Sequence, residues 1–394
     1  MKILAIETSC DETSIALIEK VADGKYEILS HETISQINLH REYGGVYPTL
    51  SRREHEKNLI PLLHKVLKDS NLLTLNDLAH EKIIELIGAD MELIERYPDL
   101  KESVFDFFSK YSVEKVDYIA VTNGPGLPPA LWVGVNFAKI VSIILGNIPI
   151  YPINHMEGHI IGGLARQQAG PTGEAPDITL IKANYPAICL LISGGHTEIV
   201  CSVSSGNYKK IGETQDDAVG EAYDKVARML GLPYPGGPEI GRLAKIGREQ
   251  IVESLNFPRP MIHSKDLNFS FSGLKTHVLY FLQKQSELSE ELKVQVAAEF
   301  EEAVKDVLIY KTKKAIDETG AQTLVVGGGV ASNSYLKENF EKLAEELSVE
   351  LNISSRELST DNALMIALCA ANQIVNGVEP TKDFVAVGSK NYEW

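Results

Sequence analysis

The sequence of 394 residues lacks any run of about 18 consecutive apolar residues, the length that a membrane-spanning helix needs. It also lacks a CxxC pair, and its cysteines are far apart: Cys10, Cys189, Cys201 and Cys369. Isolated cysteines are typical of free thiols in a reducing cytoplasm. The apolar start of the chain is interrupted by Glu7 and Asp11, unlike a signal peptide. We therefore expect a cytoplasmic protein without membrane association.

Positive charge is scarce: 38 Lys and Arg are set against 54 Asp and Glu, giving a formal net charge of −16. This balance argues against nonspecific coating of nucleic acid, but a specific nucleic-acid substrate needs only a local basic patch. Residues 76–117 alone hold eleven acidic and five basic side chains. The chain is too long for one ordinary core, so we expect two domains.

Apolar segments and turns follow the same plan in both halves of the chain. The expected strands are residues 2–7, 13–19, 118–122, 148–153, 187–192, 197–201 and 323–326, and the expected helices are 128–146, 291–311 and 362–375. The last helix is apolar on nearly all faces, which favours a position between domains. Segments 76–117 and 165–184 fit neither half. We expect them to be surface insertions, the first helical and the second a loop.

The segment NHMEGH (residues 154–159) follows a strand and places two histidines four residues apart. On a helix, the rings of His155 and His159 project from one face and can share a metal ion. The alternative is a structural histidine pair. In zinc proteases the Glu directly follows the first His, whereas Glu157 is displaced by one position and points elsewhere, which disfavours a protease. Two histidines are too few, so a carboxylate is the expected third ligand.

Glycine-rich or polar turns end several of the expected strands. Residues 193–197 (SGGHT) lie between two strands, and residues 327–333 (GGGVASN) follow a strand and open a helix. Such turns let backbone N–H groups approach a phosphate or a ribose-adenine edge. For the first turn, a tight hairpin explains the glycines equally well. Residues 8–12 (TSCDE) suit phosphates with a cation, or simply a solvated turn.

Three further polar segments can be interpreted in more than one way. Residues 216–225 (DDAVGEAYDK) form either an acidic helix face or a site where Asp224 accepts from ribose hydroxyls. Residues 234–238 (YPGGP) are a turn without chemistry of its own. In STDN (359–362), the spacing alone favours helix capping by Asp361. Together, the turns at residues 8–12, 193–197 and 327–333 reproduce the phosphate-1, phosphate-2 and adenosine layout of the actin/Hsp70/sugar-kinase architecture.

Motifs in order along essentially the whole chain resemble the TsaD family. They are ETSCDETSIAL (7–17), GGVYPTLSRREH (44–55), GPGLPPALWVG (124–134), NHMEGH, LLISGGHTEIV (190–200), DDAVGEAYDK, YPGGP, FSFSGLKT (269–276), GGGVASN and STDNALMIA (359–367). YPGGP and FSFSGLKT look like the bacterial branch of the family rather than the archaeal and eukaryotic KEOPS subunit. The insertions 76–117 and 165–184 are longer than expected for that branch.

The resemblance implies an α/β fold of two-lobed actin/Hsp70/sugar-kinase (RNase H-like) architecture with an inserted acidic helical segment. The N-terminal lobe would comprise residues 1–151 and about 365–394. The C-terminal lobe would comprise residues 152–364, with the nucleotide and metal site at the cleft. The implied activity is transfer of threonylcarbamoyl from threonylcarbamoyl-AMP to N6 of adenosine 37 in tRNAs that read codons beginning with A.

The resemblance also implies the site residues. The metal ligands would be His155, His159 and Asp361, holding one divalent ion, iron or zinc, as a Lewis acid. The nucleotide- and substrate-binding positions would be Leu191, Ile192, Ser193, Gly194, Gly195, Asp224, Gly237 and Asn333. ATP or ADP can occupy the same site as threonylcarbamoyl-AMP. No protein nucleophile is needed, and the candidates for accepting the N6 proton are Asp11 and His196.

The implied partners are tRNA and proteins like TsaB and TsaE, with the TsaB contact on the N-terminal lobe. The acidic insertion is expected to face away from tRNA. Basic candidates for phosphate contacts are Arg52, Arg53, Lys57, Arg259, Lys265 and Lys275, although for any one of them an ordinary solvated surface charge is the favoured interpretation. The competing functions are an ATP-dependent small-molecule kinase of the same fold, a non-catalytic binding protein, and a glycoprotease. A kinase does not need two histidines and a distant aspartate.

Overall fold

The computed structural model describes residues 1–168, 176–250, 254–389 and 392. Part of the expected loop 165–184, residues 169–175, therefore lies outside the described residues, as does most of the last stretch of the expected N-terminal lobe after residue 389. The chain divides into two compact units, Met1–Ile181 with Asp361–Glu393, and Lys182–Thr360. These bounds differ from the expected 151 and 364, and they assign His155, His159 and Asp361 to the first unit. A shared cleft for metal and nucleotide stays a prediction.

The first unit is built on a seven-stranded sheet in the order β7-β6-β1-β2-β3-β9-β8. β1 is antiparallel to β2, β2 is antiparallel to β3, and β6 and β7 continue the sheet parallel to β1. The strands of this unit are β1 (Lys2–Glu7), β2 (Glu12–Ala22), β3 (Lys25–Ser35), β4 (Leu73–Leu75), β5 (Tyr111–Val113), β6 (Tyr118–Gly124), β7 (Ile150–Asn154), β8 (Ala165–Gln168) and β9 (Asp177–Leu180). β4 and β5 pair separately.

The helices of the first unit before its return segment cover the sheet and form the insertion. They are α1 (Ile37–His40), α2 (Pro48–Asp69), α3 (His80–Ile87), α4 (Glu92–Glu95), α5 (Pro98–Lys110), α6 (Pro128–Ile144) and α7 (His155–Gly163), with 3-10 turns at Arg41–Tyr43 and Gly88–Met91. Helical structure in segment 76–117 is thus confirmed. The segment is more than a surface addition, because Ile83, Ile94, Leu100 and Val104 are buried in one apolar cluster with residues of α2 and α6.

Segment 165–184 was expected to be a loop, and this expectation is wrong for β8 and β9, whereas residues 181–184 have no regular structure. β8 and β9 pair with each other, and β9 adds to the sheet beside β3. The pairing is anchored by Ile178, which lies opposite Tyr26 and is fully buried. Ile178 is the only fully buried residue of the four in β9, so the pattern of the sequence was too weak to indicate a strand.

The second unit repeats the topology of the first. Its sheet has the order β12-β11-β10-β13-β14, with β10, β11 and β12 antiparallel and β13 and β14 parallel to β10. The strands are β10 (Ala187–Ile192), β11 (Thr197–Ser204), β12 (Asn207–Glu213), β13 (Thr323–Gly327) and β14 (Glu350–Ile353). This is the order β3-β2-β1-β6-β7 of the first unit, so the duplication and the RNase H-like class are confirmed.

The helices of the second unit are α8 (Val219–Met229), α9 (Gly236–Gln250), α10 (Ser272–Gln283), α11 (Glu290–Thr319), α12 (Ser334–Leu347) and α13 (Arg356–Ser359), with a 3-10 turn at Gly329–Ser332. The last helix, α14 (Ala363–Val375), belongs to the first unit, where it contacts β1, β2 and α7. These contacts account for its apolar surface, which had suggested a position between domains. In the described part of the chain, no helix is both long and apolar enough to cross a bilayer.

Candidate functional site

Two capped helices in the first unit position the candidate metal ligands. Asn154 ends β7 and caps α7, because its Oδ1 accepts from the backbone N–H groups of Met156 at 2.9 Å and Glu157 at 3.3 Å. The capped helix presents His155 and His159 from one face. Glu157 is directed elsewhere, since it accepts a hydrogen bond from the side chain of Gln373. This contact agrees with the expectation that Glu157 points away from the two histidines.

The third ligand candidate, Asp361, immediately precedes the cap of α14. Asn362 provides that cap, accepting from the backbone N–H of Met365 at 3.0 Å. The spacing had favoured Asp361 as the capping residue, and this assignment is wrong by one position. α14 packs closely on α7, because a Cβ at Gly158 would lie 3.1 Å from Ile366 Cδ1. Glycine at this position lets the two helices approach, which brings the Asp361 carboxylate to the histidines.

His155, His159 and Asp361 form a compact group with the chemistry of a metal centre. One potential ligand atom from each lies within 4.8 Å of the others. Asp361 Oδ1 is 3.4 Å from His155 Nε2 and 3.3 Å from His159 Nε2. His159 is fully buried, and neither of its ring nitrogens makes an aligned hydrogen bond. Buried nitrogens without hydrogen bonds are costly, so these residues fit a divalent ion bound by two imidazoles and a carboxylate.

Glu7 lies behind His155 and orients its ring. Its Oε2 is 3.1 Å from His155 Nδ1, and the same carboxylate accepts from the Ser9 backbone N–H and the Thr122 hydroxyl. With its Nδ1 proton held by Glu7, His155 directs Nε2 towards Asp361. Glu7 was not among the site residues expected from the sequence. The available signal was an acidic residue at the end of an otherwise buried strand.

The charges of this group reinforce one another. Burial lowers the pKa of His155, but the negative charges of Asp361 and Glu7 outweigh burial and raise it well above the usual value. For Asp361 burial acts to raise the pKa, and the nearby charge of His155 dominates and lowers it well below its usual range. The carboxylate of Asp361 is therefore ionised and available as a ligand.

Asp11, one of the two candidate proton acceptors, lies beside this group. It is 8 % exposed and sits in the turn between β1 and β2, with its backbone carbonyl accepting from Gln36 N–H at 2.9 Å. Burial raises the pKa of Asp11, and the nearby charge of Asp361 raises it further. His196, the other candidate, belongs to the second unit and follows the glycine turn. Asp11 therefore belongs to the same unit as the three candidate metal ligands, and the choice between Asp11 and His196 stays a prediction.

The candidate nucleotide residues all belong to the second unit. In the turn between β10 and β11, the Ser193 Oγ accepts from the His196 N–H at 3.1 Å. Gly194 and Gly195 are exposed, and a Cβ on either would meet nothing within 4 Å. Their backbone is therefore accessible to a ligand. By contrast, Leu191 and Ile192 are fully buried in the sheet, so only their backbone atoms could face one.

The second glycine turn lies next to the first, because β10 and β13 are parallel neighbours. Gly328 has φ of +91°, and a Cβ there would be 2.5 Å from the carbonyl oxygen of Ile192. Only glycine satisfies both constraints. After this turn, Asn333 caps α12 by accepting from Leu336 N–H at 3.1 Å and donates to Glu301 Oε1 at 2.6 Å.

The remaining candidates surround α8 and α9. Asp224 on α8 accepts from the Gly236 N–H at 2.6 Å and thereby fixes the start of α9. Gly237 follows, with open space at its Cα. One turn further along α9, a Cβ at Gly241 would be 3.6 Å from Asn333 Nδ2. The structure thus gathers Asp224, Gly237 and Asn333, and it gives the YPGGP turn a role in starting α9.

Glu301 is a second residue that the sequence analysis missed. It is fully buried on α11 and accepts from the guanidinium of Arg248 at 2.5 Å as well as from Asn333. This pairing holds the Asn333 amide in place. Its position on an amphipathic helix gave no indication of a role, because acidic residues are common on such helices.

Most of the basic candidates for tRNA contacts are paired with carboxylates. Arg52 pairs with Glu56, Lys57 with Glu54, Arg259 with Glu299 and Asp306, and Lys275 with Asp217. Arg53 and Lys265 are exposed, and within the described residues neither side chain forms an ion pair. These two are the better candidates for phosphate contacts.

Two units of one RNase H-like topology, glycine turns at strand ends and a His, His and Asp group define an actin-like α/β protein with candidate nucleotide and metal sites. The profile of the TsaD family, tRNA N6-adenosine threonylcarbamoyltransferase, matches residues 27–80 and 95–368. The chain belongs to this family. Residues 81–94, within the helical insertion, lie outside the match.

Full-length relatives agree with this membership. The tRNA N6-adenosine threonylcarbamoyltransferase of Thermosipho africanus is 40% identical over 98% of this chain and 98% of its own. The protein of the same name from Kosmotoga olearia is 39% identical over 96% of this chain and 95% of its own. Among solved structures, full-length HypF with phosphate and nucleotide bound has a TM-score of 0.51 at 14% identity, covering 96% of this chain and 47% of that protein. This last likeness concerns the fold alone.

Proposed function

We propose that the protein transfers threonylcarbamoyl from threonylcarbamoyl-AMP to N6 of adenosine 37 in tRNAs that read codons beginning with A, in the cytoplasm. Membership of the tRNA N6-adenosine threonylcarbamoyltransferase family supports this function. The observation that carries it is the group of His155, His159 and Asp361. A small-molecule kinase of the same fold does not need such a group, so the kinase alternative is not favoured.

His155, His159 and Asp361 would hold one divalent ion, iron or zinc. When bound, the ion supplies Lewis acidity towards the carbamoyl or phosphate oxygens of the donor. The chain itself supplies the orientation. Glu7 accepts a hydrogen bond from Nδ1–H of His155 and leaves Nε2 facing Asp361, whose carboxylate stays ionised.

The transfer step needs no protein nucleophile. The donor is a mixed anhydride, so N6 attacks the carbamoyl carbon, the bond from that carbon to the phosphate oxygen breaks, and AMP leaves. We assign the N6 proton to the carboxylate of Asp11. Its burial in the turn after β1, which is held by the backbone of Gln36, supports this assignment.

The second unit would hold the adenylate part of the donor, and ATP or ADP could occupy the same place. The exposed backbone of Gly194 and Gly195 would face phosphate, as would the hydroxyl of the half-buried Ser193 and the turn at residues 327–329. Asp224, Gly237 and Asn333 would surround the nucleoside. Leu191 and Ile192 would contribute through their backbone only. Proteins like TsaB and TsaE are the proposed partners.

The decisive experiment mixes the purified chain with TsaB-like and TsaE-like proteins, threonylcarbamoyl-AMP and unmodified tRNA. We expect N6-threonylcarbamoyladenosine by nucleoside mass spectrometry, and none with His155→Ala. His80→Ala is the matched control, because the His80 side chain lies in the same unit, is exposed at the start of α3, and contacts Asp106 and Phe105. It should retain full activity.

Two outcomes would overturn the proposal. One is the absence of modified adenosine with the wild-type chain. The other is undiminished activity of His155→Ala. Metal analysis gives an independent check, since the wild type should carry about one ion per chain and the variant lacking both His155 and His159 should carry none.

A further inference from the structure

Two exposed tyrosines form a stacked pair in the first unit. Tyr43 and Tyr47 are 62% and 53% exposed, and their ring centroids are 5.7 Å apart with 23° between the planes. Gly44, at φ of +67°, and Gly45, at φ of +157°, reverse the chain between the two rings. The Tyr47 N–H donates to Nδ1 of the buried His40. The pair is therefore a fixed aromatic surface open to solvent.

The segment that carries this pair is hydrogen-bonded to the turn beside the candidate metal centre. The Ser51 hydroxyl donates to the Cys10 carbonyl, and Nε2 of His55 lies 3.1 Å from the same oxygen. Gln36, on the other side of the pair, donates to the Asp11 carbonyl. The aromatic surface is thus anchored to the residues next to Asp361.

The segment around the tyrosines carries less negative charge than the chain as a whole and is therefore better suited to bind a polyanion. Residues 41–57 hold four basic and three acidic side chains, whereas the whole chain has a net charge of −16. Arg53 is exposed and forms no ion pair within the described residues. The first turn of α2, which begins after Tyr47, carries no acidic residue, so the positive end of the helix dipole is not neutralised there.

We propose that Tyr43 and Tyr47 form a stacking platform for a nucleobase that flanks the target adenosine in the single-stranded anticodon loop, with Arg53 facing the RNA backbone. This proposal rests on the proposed function, since it takes tRNA as the substrate. Proteins recognise unpaired RNA bases by stacking them on aromatic rings beside positive charge. The platform holds the loop while the adjacent adenine reaches the site.

The test measures tRNA kinetics and base stacking in the complete system with partner proteins. For the double variant Tyr43→Ala with Tyr47→Ala, we expect KM for tRNA to rise about tenfold or more, with kcat and KM for threonylcarbamoyl-AMP little changed. An anticodon stem-loop RNA with 2-aminopurine directly after the target adenosine should lose fluorescence on binding wild type, as a stacked base does. The Ala variant should not quench it.

Three controls separate a stacking role from a loss of the tyrosine hydroxyls, a general effect of removing an exposed ring, and unfolding. The double Tyr→Phe variant keeps both rings and should behave as wild type. Tyr280→Ala removes a tyrosine of similar exposure, 58%, in the second unit and should have no effect. Thermal unfolding of each variant shows that the fold is retained.

The outcomes distinguish this proposal from the proposed function. If wild type does not modify tRNA, the proposed function itself fails. If wild type is active but the Ala variant has unchanged KM for tRNA and unchanged quenching, the stacking platform is refuted. Loss of binding to a TsaB-like protein, with RNA affinity intact, would instead assign the tyrosines to a protein interface and would also refute the platform.

Discussion

Replacing Glu7 with Gln tests whether the residues behind the candidate metal centre control its affinity. Glu7 is fully buried, and its carboxylate lies 3.1 Å from Nδ1 of His155, which is 5% exposed. Glutamine keeps an acceptor oxygen but removes the charge that makes the imidazole a stronger ligand. Changes of this type behind a metal ligand weaken binding about 10- to 100-fold, or about 1.4–2.8 kcal/mol.

We expect Glu7→Gln near the lower end of that range and Glu7→Ala near the upper end. The alanine variant also removes the acceptor for the Ser9 N–H and the Thr122 hydroxyl, so the turn after β1 loses its anchor. The assay is competition for Zn²⁺ between the metal-free protein and a chromophoric chelator. Glu301→Gln is the matched control, because Glu301 is equally buried but lies in the second unit.

The orienting role of Glu7 would be refuted if Glu7→Gln bound Zn²⁺ within about threefold of wild type while Asp361→Asn lost binding. Removal of a partner behind a metal ligand should weaken binding by more than that. In that case the ligands would be correct, but their orientation would not depend on Glu7. Unchanged binding by both Glu7→Gln and Asp361→Asn would instead place the metal elsewhere. A change in Glu301→Gln would indicate a general loss of structure.

Three further predictions concern stability. Burial lowers the pKa of His55 to about 4, whereas in the unfolded chain this histidine takes up a proton as the pH drops below about 6.5. Stability should therefore decrease as the pH is lowered, by about 2 kcal/mol at pH 5. Urea unfolding of His55→Gln should show a correspondingly weaker pH dependence. Gly328→Ala should cost about 1–3 kcal/mol and lower the melting temperature, whereas Gly329→Ala, with nothing within 4 Å of its Cβ, should change the melting temperature little. Ile83→Ala should cost about 2–5 kcal/mol by chemical denaturation, because Ile83 is fully buried; a cost near zero would mean that the acidic insertion does not contribute to the core.

The sequence was sufficient for those elements whose burial is continuous. β1 and β10 are short apolar runs with every interior residue buried, and both were predicted correctly. α11 was recognised from its apolar stripe, but it continues past the expected end at residue 311 to Thr319. β3 was missed because its second half is largely exposed and polar. β9 was missed because a single buried isoleucine anchors it. In both strands, pairing with a neighbour decides the structure, and pairing is not visible in the local pattern.

The candidate site was predictable only in part, for a similar reason. The four-residue spacing of His155 and His159 is local, and it was recognised from the sequence. Asp361 is about two hundred residues away, and nothing in its spacing separates a ligand from a helix cap. Its neighbour Asn362 occupies the cap, and this one-residue difference depends on the dihedral angles of the chain at the start of α14. Glu7 likewise acquires its role only through the packing of β1 beside α7.

The two units share a topology but differ in the chemistry at corresponding strand ends. After the first strand of each sheet, the first unit has the acidic turn with Asp11, whereas the second has an open glycine turn at residues 193–195. After the last parallel strand, the first unit continues into α7 with His155, whereas the second continues through a polar segment to α13. A duplicated scaffold therefore supplies equivalent positions, and the side chains decide their use. Acids and imidazoles are suited to bind a cation, and exposed glycine backbone is suited to bind phosphate. A metal-assisted transfer from an adenylate would need both kinds of group.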